Sequence, residues 1–93
     1  YVPRRGDIVW MDFDPLVGHE QAGFRPALVL SPDHYNERTG LAIVCPITRQ
    51  AKGYEFEVPL PAGLAVAGAI LCDQVRCADW VVRRARFACS APS

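Results

Sequence analysis

The sequence lacks the features that mark membrane proteins, disulfide-rich secreted proteins and zinc proteins. No uninterrupted apolar run approaches the roughly 18 residues that cross a bilayer, so no membrane span is expected. The chain holds only two histidines, and none of its four cysteines has a Cys-x-x-Cys partner. No metal site and no cofactor are therefore expected. Because Cys45 and Cys72 lie in apolar runs, we interpret them as small buried residues of a reduced, cytoplasmic protein.

Net charge is also missing. Ten basic residues balance ten acidic ones, unlike the strongly basic profile of a non-specific nucleic-acid binder. Contact with a polyanion must then come from local clusters, such as Arg83, Arg84 and Arg86. The length predicts one domain over residues 1–93. Since so short a chain buries only about 60–65% of its unfolded surface, association into an oligomer is favoured.

Short apolar runs between proline and glycine turns predict an all-β chain. Residues 6–13 are apolar on both faces, which suits a strand buried on two sides. Pro26 opens the second run, because proline has no N–H to give a neighbouring strand. The third run, Leu41–Thr48, is interrupted by Pro46, so an edge or a bulge is expected there. Further strands are expected over residues 54–58, which alternate apolar and polar, and over 64–72 and 79–85.

Outside these runs, the sequence has little helical pattern. The polar segment 33–40 is expected to hold at most one helical turn. Several short strands with no strong helix indicate a small all-β barrel.

The loop between the first two strands carries the densest set of reactive side chains: Gly18-His19-Glu20-Gln21-Ala22-Gly23-Phe24-Arg25-Pro26. His19 is of a type that titrates near neutral pH, and Glu20 can act as a base if partly buried. Arg25 presents a planar fork suited to a phosphate or a carboxylate. These side chains can build a phosphate-handling site. The alternative is a solvated hairpin loop in which Arg25 pairs with Glu20.

Other side chains are expected to meet this loop in space. Thr48 ends the third strand, where its hydroxyl can donate to a phosphate oxygen, although threonine is common in strands for structural reasons. Phe24 and Tyr54 flank polar loops and are candidates for stacking on a base. Contacts to a substrate are also expected from two further segments, the basic turn with Arg49 and Lys52, and Asp73-Gln74, which also suits a turn.

These motifs resemble the MazF/PemK-type toxins of bacterial toxin–antitoxin systems. The resemblance covers nearly the whole chain up to Trp80. It implies an SH3-like barrel of the CcdB/MazF type, a homodimer, and metal-independent, sequence-specific cleavage of single-stranded RNA. It also implies a cognate MazE-like antitoxin that covers the RNA groove. The matching segments are Arg5-Gly6-Asp7-Ile8-Val9-Trp10, Asp12-Phe13-Asp14-Pro15, residues 18–32, Tyr35-Asn36, Thr39-Gly40, Pro46-Ile47-Thr48, residues 52–58 and Asp73-Gln74-Val75-Arg76.

The resemblance also implies roles for individual residues. By position, the family's catalytic arginine and threonine fall on Arg25 and Thr48, and its loop glutamate falls on Glu20. The implied reaction is attack of an RNA 2′-hydroxyl on the adjacent phosphorus. Arg25 would stabilise the added charge, Thr48 would donate to a phosphate oxygen, and Glu20, or less favourably His19, would be the base. Sequence specificity is expected from residues 14–24, Gln21 included, and 49–54 of both subunits.

The chain departs from the family pattern in two places. In the PemK branch, His19 and Asp73 would also have roles, but the second functional arginine of that branch is replaced here by Leu71. The Arg25–Thr48 pair is therefore favoured. The family also normally ends in a helix packed on the barrel. This sequence stops at Ser93, about where that helix would begin, so the helix is expected to be missing or to lie outside this chain.

Two other functions fit the same composition. A CcdB-like toxin would bind DNA gyrase without catalysis, and a plain SH3-like module would bind peptides. The Gly-His-Glu-Gln stretch, Arg25 and Thr48 favour RNA cleavage over both.

Overall fold

The structure, a computed structural model, describes residues 1–13 and 24–92, and its strands pair in antiparallel fashion. In chain order the elements are β1 (Asp7–Asp12), β2 (Phe24–Val29), α1 (Asp33–Thr39), β3 (Leu41–Thr48), β4 (Glu57–Pro59), β5 (Ala69–Leu71), a 3-10 helix (Cys72–Gln74), β6 (Arg76–Asp79) and β7 (Arg86–Ser90). The strands follow the order β4-β5-β3-β2-β1-β7, and β6 also pairs with β3. Among the described residues, no helix has the length and apolar character needed to cross a bilayer.

The mostly-β fold expected from the sequence is confirmed. Strands β4 and β7 lie at opposite ends of the strand order and do not pair with each other in the described part of the chain. The sheet is therefore not closed into a complete barrel within these residues.

Strand β3 is the centre of the sheet because it pairs with three other strands. Strand β2 follows one edge, and β6 and β5 share the other, with β6 opposite Leu41–Val44 and β5 opposite Ile47 and Thr48. Pro46 lies in the step between β6 and β5. The expectation of an edge or a bulge at Pro46 is thus wrong, since the proline marks a change of partner inside a central strand.

The geometry of β3 explains why this proline is tolerated. Ile43 bonds to Leu30 and Ser31, so its backbone polar groups point towards the β2 side. Because these groups alternate in direction along a strand, the nitrogen of Pro46 points to the other edge. There it faces the unpaired step, where the missing N–H costs no ladder hydrogen bond.

Apolar side chains pack on both faces of the sheet. Val9 and Met11 of β1 belong to one cluster, which also takes residues from β2, β3 and β6. Ile8 of the same strand belongs to the other cluster, with Cys45 and Ile70. All three β1 side chains are fully buried, which confirms that β1 is covered on two sides.

The two cysteines expected in the core have different environments. Cys45 is buried, and this burial, assisted by the nearby Cys72, raises the pKa of its thiol. Cys72 is exposed because it starts the 3-10 helix and does not lie inside a strand. The prediction that Cys72 is a core residue is therefore wrong.

Residues 54–58 do not form the expected alternating strand. Only Glu57–Pro59 is extended. The Glu57 carboxylate accepts hydrogen bonds from the backbone N–H groups of Lys52 and Gly53, and the Glu57 N–H donates to the Tyr54 carbonyl. These bonds close a turn over Tyr54–Phe56, because the carboxylate satisfies loop donors that a strand would pair differently.

Two other expected strands are shorter or displaced. Of residues 64–72, only Ala69–Leu71 is extended. Residues 80–84 form a turn between β6 and β7, because the Asp79 carboxylate accepts from the N–H groups of Val81 and Val82. Asp79 thus behaves as a cap that ends the strand, and the tail beyond it returns as β7.

The polar segment after β2 is a longer helix than expected, and the buried Asn36 holds it in place. The Asn36 side-chain amide donates to the carbonyls of Pro3 (2.8 Å) and Ser31 (3.1 Å), and its oxygen accepts from the Ser31 hydroxyl at 2.6 Å. The indole N–H of Trp80 donates to the Asn36 carbonyl at 2.9 Å. One residue therefore ties α1 to the N-terminal segment, the end of β2 and the turn after β6.

We predict that Asn36→Ala lowers the free energy of unfolding by about 2–4 kcal/mol, because it leaves buried polar groups of Pro3 and Ser31 without a partner. Urea unfolding followed by circular dichroism measures the loss. The matched control is Glu37→Ala, on the exposed side of the same helix, with a change within about 0.5 kcal/mol. Equal stability of the two variants would contradict this role for Asn36.

Candidate active site

Arg25 and Thr48 come together at one end of the sheet. Arg25 is the second residue of β2, and Thr48 is the last residue of β3. In the pairing of these strands Ala27 lies opposite Pro46, and the same register continued by two residues sets Arg25 across from Thr48. Both side chains line two adjoining hollows of about 280 Å³ and 200 Å³. Residues far apart in the sequence thus share one cleft.

The Thr48 hydroxyl is oriented for donation. Its oxygen accepts a hydrogen bond from the Gln50 N–H at 3.1 Å. A hydroxyl that accepts from the backbone keeps its own proton for another partner, and within residues 1–13 and 24–92 no protein group accepts that proton. Thr48 can therefore donate to an anionic oxygen placed in the cleft.

A third hollow, of about 370 Å³, lies on the other side of Thr48. Because the three hollows share Thr48, together they form a continuous depression, here called the groove. Most of the residues predicted to bind substrate line it: Phe24, Arg49, Lys52, Tyr54, Asp73 and Gln74. His19, Glu20 and Gln21 lie outside the described residues.

The groove is locally basic although the chain as a whole is neutral. Arg25, Arg49, Lys52 and Arg76 line it. Two carboxylates, those of Asp73 and Glu57, also line it, and the Glu57 oxygens accept backbone hydrogen bonds from the loop at Lys52, as described above. The cations outnumber them. Converging cations at a concave surface favour an anionic ligand.

Three polar residues of the described groove are not among those expected from the sequence. Arg76 lines the hollow of Arg25 and Thr48, with its guanidinium carbon 5.1 Å from the centre of the Phe13 ring. It belongs to the matching segment Asp73-Gln74-Val75-Arg76, so the sequence did contain a signal for it. Gln50 lies inside the basic turn, where substrate contacts are expected only from Arg49 and Lys52. Glu57 was assigned to the wet face of a strand, and only the folded loop shows that it closes the turn at Lys52.

The arginine cluster near the C-terminal end divides into different environments. The Arg83 guanidinium donates to the carbonyls of Asp12 (3.1 Å) and Phe13 (2.6 Å), so it supports the end of β1. The guanidinium carbon of Arg86 lies 4.5 Å from the centre of the Phe24 ring. Arg84 is exposed in the turn, with a positive φ of 59°. The three arginines therefore do not act as one polyanion patch.

A family model described as "PemK-like, MazF-like toxin of type II toxin-antitoxin system" matches residues 4–93. The chain belongs to this family. The family resemblance drawn from the sequence is thereby confirmed.

Curated relatives of this PemK-like, MazF-like chain carry the name endoribonuclease. The endoribonuclease toxin MazF of Escherichia coli K12 is 53% identical over 85 residues, which cover 91% of this chain and 76% of MazF. The endoribonuclease PemK of Escherichia coli is 39% identical over 84 residues, which cover 86% of this chain and 63% of PemK.

Solved structures of MazF have the same fold. MazF from Deinococcus radiodurans matches with a TM-score of 0.90 at 56% identity, covering 99% of this chain and 84% of that one. A MazE–MazF structure from the same organism matches with a TM-score of 0.88 at 50% identity, covering 100% of this chain and 83% of that one. The roles of the individual side chains in this PemK-like, MazF-like member stay predictions.

Gly68 sets the distance between β5 and Thr48. It has a φ of +135°, and a Cβ at this position would lie 2.1 Å from the Thr48 carbonyl oxygen. Gly63 also has a positive φ, of +93°, but nothing lies within 4 Å of its ideal Cβ. Alanine substitutions at Gly63 and Gly68 therefore separate the cost of backbone strain from the cost of a direct collision.

We predict that Gly63→Ala costs about 1–2 kcal/mol of unfolding free energy through strain alone. Gly68→Ala should cost about 1–3 kcal/mol more, because the methyl group collides with backbone that has to move. It should also shift the Gln50 amide resonance in a ¹⁵N–¹H spectrum, since that N–H bonds to Thr48. Equal losses in both variants, with Gln50 unmoved, would contradict the contact.

Proposed function

We propose that this chain is an endoribonuclease toxin that cleaves single-stranded RNA, and that Arg25 and Thr48 act on the scissile phosphate. The observation that carries the proposal is their convergence from neighbouring strands onto the same basic hollows. The endoribonuclease names of the relatives support the activity. They also favour it over the CcdB-like alternative, in which the chain would bind gyrase without catalysis.

The proposed chemistry is internal transesterification. The RNA 2′-oxygen forms a bond to the adjacent phosphorus while the bond from phosphorus to the 5′-oxygen breaks. A base takes the 2′-hydroxyl proton, and the departing 5′-oxygen takes a proton from solvent water. The products are a 2′,3′-cyclic phosphate and a 5′-hydroxyl end, and the phosphorus carries extra negative charge on the way between them.

Arg25 and Thr48 stabilise this extra negative charge. A guanidinium stays protonated and offers two parallel N–H groups to two phosphate oxygens. The Thr48 hydroxyl, already oriented by the Gln50 N–H, donates to a non-bridging oxygen. Donors held in place before the reaction need no reorganisation when the charge develops, which is why they accelerate it.

The proton-transfer roles fall to the loop. We assign the general base to Glu20, with His19 as the second candidate, because a base must lie within hydrogen-bond reach of the 2′-hydroxyl. Both residues lie in the chain between β1, which ends at Asp12, and Arg25, which follows Glu20 by five positions. No metal ion is needed for this scheme.

Substrate binding along the groove follows from the same chemistry. Arg49 and Lys52 line the groove, and we assign them to phosphates flanking the reacting one. Tyr54, whose side chain is 55% exposed, offers a ring face to a base. Gln21, Phe24, Asp73 and Gln74 are the proposed contributors to base selection.

The partners follow from the family. The MazE–MazF structure at 50% identity supports a cognate MazE-like antitoxin for this chain, and the antitoxin would block cleavage by covering the groove.

We further propose a homodimer, since a chain this small leaves apolar side chains such as Val81 and Val82 exposed. The toxin would cleave mRNA in the cytoplasm, and this cleavage would inhibit translation and growth.

We predict that Arg25→Ala lowers kcat for RNA cleavage by about 100- to 1,000-fold, because one preorganised charge donor is lost. Arg25 is exposed, so circular dichroism and the urea midpoint should not change. Arg38→Ala is the control for lost charge, since Arg38 lies on α1 and lines no part of the groove. Full activity in a folded Arg25→Ala protein would refute the assignment.

The nucleophile is tested on the substrate. Cleavage sites are first mapped by sequencing the fragment ends, and one 2′-deoxynucleotide is then placed at the scissile position. We expect no cleavage there, because the attacking group is gone, and we expect normal 5′-hydroxyl ends elsewhere in the presence of EDTA. Cutting at the deoxynucleotide would indicate attack by water. Intact RNA together with gyrase inhibition would favour the CcdB-like alternative.

A further inference from the structure

A second concave surface adjoins the groove, and of its lining only Phe24 has a role in the cleavage proposed above. Strand β7 pairs with β1 so that Arg86 lies opposite Trp10, and β2 pairs on the other side of β1 so that Phe24 lies opposite Asp12. The result is a hollow of about 360 Å³ lined by Trp10, Phe24, Arg86 and Phe87, here called the aromatic hollow. Its volume lies in the range of small-ligand sites, roughly 300–1,000 Å³.

The aromatic hollow is continuous with the candidate active site. Trp10 and Phe24 line both the aromatic hollow and the hollow that contains Arg25 and Thr48. These two rings therefore form a shared wall. A phosphate held between Arg25 and Thr48 would have this wall on one side of it.

The lining combines aromatic faces with a cation. The Arg86 guanidinium carbon lies 4.5 Å from the centre of the Phe24 ring, and Phe87 is 51% exposed although it is phenylalanine. Proteins that bind single-stranded nucleic acid use this combination, since rings stack on bases and cations contact the backbone. An exposed ring beside a basic cleft fits that ligand better than it fits a core.

We propose that the aromatic hollow is a nucleotide subsite, in which one base flanking the scissile phosphate stacks on the rings and Arg86 contacts its phosphodiester. The proposal rests on the proposed RNA cleavage, because it places the base relative to that phosphate. It adds Trp10, Arg86 and Phe87 to the residues that bind the substrate.

Steady-state kinetics with a mapped RNA substrate test the subsite. Arg86→Ala and Phe87→Ala should each raise KM by about 5- to 150-fold, with kcat nearly unchanged, because the contact is made equally in the bound substrate and the transition state. The matched controls are Arg38→Ala and Val58→Ala, a cation and an exposed apolar residue that line none of the hollows. If Phe87→Ala does not fold, Arg86→Gln makes the same test.

Unchanged KM in folded Arg86 and Phe87 variants would overturn the proposal. So would variants that lose affinity for the antitoxin while keeping the wild-type KM, since the hollow would then be a protein interface.

Stacking is tested separately from catalysis. The chain has two tryptophans, so Trp80→Phe leaves Trp10 as the only one. A mixed-sequence single-stranded DNA, which has no 2′-hydroxyl to react, should quench Trp10 fluorescence, and the same backbone without bases should not. Equal quenching by both would overturn the base-binding role. If wild-type protein fails to cleave RNA yet shows base-dependent quenching, the proposed nuclease fails while the subsite stands.

Discussion

Pairing at both edges of β3 is the constraint on which the rest of the structure depends. Strand β2 occupies one edge, and β6 and β5 divide the other between them. This arrangement brings Thr48, at the end of β3, next to Arg25 on β2 and beside the segment after β5 that holds Asp73. The groove exists because one strand collects neighbours from three separate stretches of chain.

The step between β6 and β5 links the fold to the site. Pro46 lies at this step, with its nitrogen turned to the unpaired edge, and the 3-10 helix Cys72–Gln74 connects the two strands that flank it. Gln74 lines the same hollow as Pro46 and Thr48. A residue that interrupts a ladder therefore lies in the wall of the cleft, where an unbroken sheet would leave no depression.

Charge in this protein is organised by position. Ten basic and ten acidic residues cancel over the whole chain, yet four cations line the groove. Glu57 lines it too, with its carboxylate engaged by the backbone of the 52–53 loop. Arg83, which the composition groups with Arg86, instead supports the end of β1 through two carbonyls. A formal charge count therefore carries little information about a surface this small.

The sequence by itself determined the family, the mostly-β class, the double burial of β1 and the identity of Arg25 and Thr48 as the residues to examine. These depend on local patterns and on ordered motifs, which a linear chain displays directly. The sequence did not determine where the strands end. Asp79 and Glu57 end or displace strands through hydrogen bonds to backbone groups that only the folded loops bring near, and Asn36 lengthens a helix through partners at Pro3 and Trp80. The tertiary structure alone decided that Arg76 joins Arg25, and that Arg86 covers Phe24. Such contacts depend on strand register, which is a property of the pairing of distant segments and of no segment alone.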